Sequence, residues 1–89
     1  MKLLKIRVLG HVQGVGFRYF AYRSANEYNI TGFVCNENDG SVYIEACGEE
    51  ESLDSFCSDL KTGPSRAIVS RVRIIEEGEC DGFGTFSMR

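Results

Sequence analysis

Between Lys2 and Leu9 the chain alternates. Leu4, Ile6 and Val8 fall on one face, Lys5 and Arg7 on the other. A period of two over this length predicts a half-buried strand. From Phe17 the period changes. Phe17, Phe20, Ala21, Ser24, Ala25 and Tyr28 recur at helical spacing and form one apolar stripe that packs into a core. Asn29 suits the left-handed residue that ends such a helix, and Ile30 can fold back on its last turn. Thr31 to Asn36 reads as a second strand. Asp39-Gly40, inside the turn cluster Glu37 to Gly40, is a hairpin signal. Val42, Ile44 and Ala46 then alternate with Tyr43, Glu45 and Cys47 in a third strand, antiparallel to the second. Gly48 breaks that strand. Glu49, Glu50 and Glu51 sit where a helix N-terminus favours carboxylates. Leu53, Phe56, Cys57 and Leu60 carry a second helical stripe; Lys61 closes it, Gly63 caps it and Pro64 prevents continuation. A long strand is predicted from Ala67 to Glu77, with Val72 and Ile74 facing in and Arg71 and Arg73 on a solvated face. A polar loop from Glu76 to Gly82 and a short strand from Phe83 to Met88 complete the pattern.

The element order is therefore β-α-β-β-α-β plus a short β. It fits a two-layer α+β sandwich with an antiparallel sheet and two helices on one face. A right-handed crossover sets the first strand parallel to the second, with the third between them. The C-terminal ends of the first two strands then share one edge. After the first comes Gly10-His11-Val12-Gln13-Gly14-Val15-Gly16-Phe17-Arg18; the second ends at Asn36. Topology alone thus brings Asn36 beside the glycine-bearing segment.

Gly10, Gly14 and Gly16 leave that segment free to take positive φ and to present N–H groups to a ligand. The helix behind it points its positive end at the same place. Arg18, a cation in the first helical turn, is unfavourable there by about 0.3–1 kcal/mol unless an anion sits beside it. The pattern predicts a phosphate-sized anion pocket rather than a tight turn with a surface arginine. His11, the single histidine, reads as a loop residue or weak phosphate neighbour and not as a base. The Glu49–Glu51 triplet reads as a dipole complement and not as a metal site. The pocket then holds backbone N–H groups, one guanidinium and one amide, with no strong base. Such groups can bind a phosphoryl group and hold a water. They suit phosphoryl transfer with a good leaving group, which needs mainly positioning and charge neutralisation. A mixed carboxylic–phosphoric anhydride fits.

The segment Gly10 to Arg18 resembles the acylphosphatase signature G-x-V-Q-G-V-x-F-R. Gly32-Phe33-Val34-Cys35-Asn36 before Asp39-Gly40-Ser41-Val42 is similar to the family's G-[WF]-V-x-N…G-x-V segment. Gly63-Pro64-Ser65-Arg66-Ala67, with Val69 and Val72, resembles its G-P-x-x-A-x-V-x-x-V. The resemblance runs in order along nearly the whole chain. It implies a ferredoxin-like sandwich and hydrolysis of acyl phosphates to a carboxylate and inorganic phosphate. It implies that Val12, Gln13, Gly14, Val15, Gly16, Phe17 and Arg18 form the phosphate-binding loop, with Arg18 gripping the phosphate. Asn36 would orient the attacking water. The family works without a metal or organic cofactor, and the substrate's own phosphate can take the water's proton. Inorganic phosphate is then expected as product and inhibitor.

Composition narrows the alternatives. Eighty-nine residues predict one domain, 1–89, with one core. A net charge of −3 argues against nucleic-acid binding, which needs a basic face. An RNA-binding sheet would also need exposed aromatics on its central strands, where the first strand offers Lys5 and Arg7. A second alternative is the carbamoyl-phosphate-handling domain that opens a hydrogenase-maturation protein; a chain ending at Arg89 favours a standalone enzyme. No apolar run approaches membrane-spanning length. Met1-Lys2-Leu3-Leu4-Lys5 meets charge too early for a signal peptide. The expectation is a cytoplasmic monomer, with no membrane partner. Cys35, Cys47, Cys57 and Cys80 form no C-x-x-C pair, so zinc is not expected. Without an export signal they are expected to be free thiols.

Overall fold

The computed structural model describes residues 1–82 and 84–89. In chain order the elements are β1 (Lys2–His11), α1 (Phe17–Glu27), β2 (Thr31–Asn36), β3 (Val42–Gly48), α2 (Glu50–Thr62), β4 (Ile68–Glu79) and β5 (Phe86–Met88). The strands form one sheet in the order β4-β1-β3-β2-β5. β3 lies between β1 and β2 and runs antiparallel to both, so those two point the same way. Their C-terminal ends therefore share one sheet edge. β5 pairs with β2 in parallel, which makes an otherwise antiparallel sheet mixed.

The core lies between the helices and one sheet face. Leu4, Ile6 and Val8 of β1, Val34 of β2 and Val42, Ile44 and Ala46 of β3 meet Phe17, Ala21 and Ala25 of α1 and Leu53, Phe56 and Leu60 of α2. These are the apolar positions of the alternating and helical stripes. The helices are tied to each other where Ser24 donates its hydroxyl to Asp59 Oδ2 at 2.8 Å. Asn29 takes φ 57°, and Ile30 N–H returns to the Ala25 carbonyl at 2.8 Å, with its side chain buried. Glu50 and Glu51 occupy the first turn of α2, and Gly63 ends it at φ 67°.

Five details differ from the sequence pattern. β1 runs on through Gly10 and His11, so neither belongs to the loop; His11 is exposed and paired with Ile68. The register between β1 and β4 shifts at Leu9/Gly10, and Gly10 sits at φ 130°. A Cβ there would stand 2.1 Å from the Ile68 carbonyl oxygen. Gly10 is thus a bulge residue that lets two backbones close up. β4 extends to Glu79, through residues expected in a loop, because β1 gives Glu76 to Glu79 a partner strand. Ile74, expected to face the core, is exposed, since β4 is an edge strand. The last strand starts at Phe86, and Phe83 lies outside the described residues.

The fifth concerns the cysteines. Cys35 and Cys57 are free, but Cys47 and Cys80 form a disulfide. Cys80 N–H donates to the Met1 carbonyl at 3.1 Å, which turns the chain after β4 round the start of β1 and back to the end of β3. The spacing of the two residues in sequence carries no hint of this, because β1 separates their strands. The bridge spans 33 residues of sequence. Chain-entropy reasoning assigns it about 3–4 kcal/mol. Reduction, or Cys80→Ser, should then lower the melting temperature by roughly 15 °C or more in scanning calorimetry. The Cys80→Ser protein should no longer respond to reductant. A drop below about 2 °C would show that the bridge contributes little.

Candidate active site

β1 leads into a turn at Gln13 to Gly16, and α1 begins at Phe17. Gly14 and Gly16 take φ 75° and 82°. Gly16 is the residue that caps α1, and its left-handed conformation turns the chain abruptly into the helix. A Cβ at either glycine would meet no atom within 4 Å, so φ and not crowding calls for glycine. Among the described residues, the N–H groups of Gln13 to Gly16 donate to no backbone oxygen. The first turn of α1 holds no acidic residue. Unpaired donors, a positive helix end and a cation therefore converge on one concave spot.

The residues of this segment divide by direction. Val12, Val15 and Phe17 are buried and fasten the loop to the core. Gln13 braces it from the side: its amide Nε2 donates to the carbonyls of Glu37 at 2.7 Å and Ser41 at 2.9 Å, both in the β2–β3 turn. Gly14, Gly16 and Arg18 are exposed. So the seven residues expected to bind phosphate separate into three anchors, one brace and three that face outward.

Arg18 and Asn36 line one cavity of about 280 Å³, together with Val12, Gly14, Gly16, Phe17, Tyr19 and Met88. Asn36 closes β2, paired in register with Val42. Among the described residues, its side-chain amide makes no hydrogen bond. Arg18 donates from Nη1 to the main-chain oxygen of Arg89 at 2.7 Å. That bond uses one of five guanidinium N–H groups and leaves the rest for a ligand.

Met88, Tyr19 and the Arg89 oxygen were not foreseen from sequence. β5 brings Met88 and Arg89 there through its parallel pairing with β2, and Arg89 N–H donates to the Val34 carbonyl at 2.8 Å. The Arg89 guanidinium lies 3.8 Å over the Phe33 ring, which holds the tail on the sheet. Parallel pairing of a short terminal strand leaves no local signal. Tyr19 follows Arg18 directly, and its exposure on α1 was readable from the helical stripe.

The thiol nearest this site in sequence is Cys35. Burial pushes its pKa up, and the neighbouring Glu37 adds to the shift against the opposing pull of Arg89 and Arg18. The shift favours the protonated thiol over the thiolate. Among the described residues, no three His, Cys, Asp or Glu side chains cluster as a metal site. The arrangement can bind a tetrahedral anion and hold a water at its edge.

The chain is similar to known proteins along its length. The Acylphosphatase family model matches residues 4–88. An acylphosphatase of Thermotoga maritima is 46% identical over 89 residues, covering 100% of this chain and 98% of its own. One from Archaeoglobus fulgidus is 48% identical over 88 residues, covering 99% and 98%. The crystal structure of acylphosphatase from Bacillus subtilis superposes with a TM-score of 0.96 at 38% identity, over 100% of this chain and 99% of that one. With the match running through every element from β1 to β5, and with relatives aligned along their full length, the chain belongs to the acylphosphatase family.

Proposed function

We propose that this acylphosphatase splits the carboxyl–phosphate bond with Arg18 and the loop N–H groups as the phosphate cradle and Asn36 as the holder of the attacking water. The single observation that carries the reading is the shared cavity: Arg18 and Asn36 line the same space, and among the described residues the Asn36 side-chain amide makes no hydrogen bond. Water oxygen attacks phosphorus while the bond to the acyl oxygen breaks. The carboxylate leaves with that bonding pair, and a phosphate oxygen takes the proton. Negative charge on the phosphoryl oxygens is met by the guanidinium and by donors already fixed in place, so little reorganisation is needed. No side chain has to act as a general acid, because a carboxylate leaves without protonation, and none has to act as a strong base, because the phosphate takes the water's proton.

The reading extends to one domain over 1–89, acting as a cytoplasmic monomer with inorganic phosphate as competitive inhibitor. The Cys47–Cys80 bridge is the observation that favours a more oxidising compartment instead. Among the described residues, no helix is long and apolar enough to cross a membrane.

The test is hydrolysis of acetyl phosphate by the purified chain, with release of phosphate as the readout, before and after exhaustive chelation. Activity should be unaffected by the chelator and competitively inhibited by added phosphate. Loss of activity on chelation, with recovery on adding back a divalent ion, would overturn the metal-free cradle. No hydrolysis at all would overturn the reading as a whole.

A further inference from the structure

Beside the phosphate cavity lies a larger groove of about 690 Å³, between α1 and the far end of α2. Gly16 and Tyr19 line both spaces, so the two adjoin at the start of α1. The near end of the groove is apolar, with Val15, Phe20 and Pro64. Tyr19 is exposed there and stacks on Tyr22, with ring centroids 6.2 Å apart. Arg23 lies one turn further along α1, about 6 Å of helical rise beyond Tyr19. Among the described residues, Arg23 takes part in no ion pair. Two carboxylates also line the groove. Asp59 is engaged by the Ser24 hydroxyl, and Glu27 sits a further turn away from the phosphate. Along α1, Arg23 is the first charged side chain of the groove's lining after Tyr19.

We propose that this groove receives the acyl chain, and that Arg23 makes the enzyme prefer acyl phosphates whose chain ends in a carboxylate. The proposal rests on the activity proposed above. With phosphate held by Arg18, the acyl carbon can leave the cavity over Gly16, where no side chain blocks it. A short methylene chain then crosses the apolar stretch beside Tyr19 and brings its terminal carboxylate to Arg23. An uncharged chain of the same length gains the apolar contact but leaves the guanidinium without its partner. A cationic chain end would meet Arg23 first and be repelled.

The experiment compares kcat/KM for glutaryl phosphate, pentanoyl phosphate and 4-aminobutanoyl phosphate on the parent, Arg23→Gln and Arg23→Lys. The parent should prefer glutaryl over pentanoyl phosphate. Arg23→Gln should lower that preference about fivefold, the size of a partly exposed charge pair. The loss should fall in KM for glutaryl phosphate, and Arg23→Lys should restore most of it. An unchanged preference in Arg23→Gln, or a parent that favours 4-aminobutanoyl phosphate, would overturn the proposal. A parent that hydrolyses none of the three would overturn the activity itself, and the groove with it.

Discussion

Arg18→Lys should leave the fold intact yet remove most activity, by on the order of a hundredfold or more, and most affinity for inorganic phosphate. Arg18 is exposed and packs into no part of the core, so its replacement leaves no cavity. The loss is one of geometry. The guanidinium reaches the Arg89 oxygen with Nη1 at 2.7 Å and still presents a planar fork to the cavity. A phosphoryl group accepts two parallel bonds from that fork. An ammonium is a point charge on a flexible stem. Drawn to the Arg89 oxygen, it is taken from the phosphate; drawn to the phosphate, it frees the tail. The measurements are the inhibition constant for phosphate, kcat/KM for acetyl phosphate and the circular dichroism of the same preparation. Parental phosphate affinity in the lysine variant would make Arg18 a surface residue and end the cradle reading. A lost dichroism spectrum would mean that Arg18 is structural.

Asn36→Ala should act on rate alone. Holding a water in line with phosphorus is an orientation effect, realised in the transition state more than in bound phosphate. The expected fall in kcat is about a hundredfold or more, with little change in the phosphate inhibition constant. The contrary view makes Asn36 a brace for the glycine loop, so that rate and affinity fall together. Here the brace is a different amide: Gln13 spans the gap to the Glu37 and Ser41 carbonyls, while the Asn36 side-chain amide makes no hydrogen bond among the described residues. Removing Asn36 leaves the Gln13 bonds and the loop in place. Parallel losses in kcat and phosphate affinity would reject the water-holding role.

The two variants probe a site whose parts differ in how openly the sequence displayed them. The glycines and Arg18 stood out because each is odd for its place, positive-φ residues before a helix and a cation at a positive helix end, and Asn36 because the strand order carries the end of β2 beside them. Val12, Val15 and Phe17 stood in the same motif, but burial makes them anchors. Gln13 looked like a ligand-binding residue, and two carbonyls from a distant turn occupy it.

Local periodicity and end signals by themselves determined both helices, the first three strands, the α1 and α2 termini and the split β-α-β order. These follow from side chains a few residues apart, and from one chirality rule for crossovers. That order already carried Asn36 to the loop before Arg18. Tertiary structure alone decided what depends on a partner remote in sequence. Ile74 is exposed because no further strand lies beyond β4. Gly10 is a bulge residue because the Ile68 carbonyl comes so close. Cys47 meets Cys80 because the chain turns round the start of β1. Met88 and the Arg89 oxygen reach Arg18 because a three-residue strand pairs in parallel with β2. Each of these contacts is paid for by closing a long loop, and its energy depends on where the rest of the chain has already folded. A run of residues read in order carries no record of that.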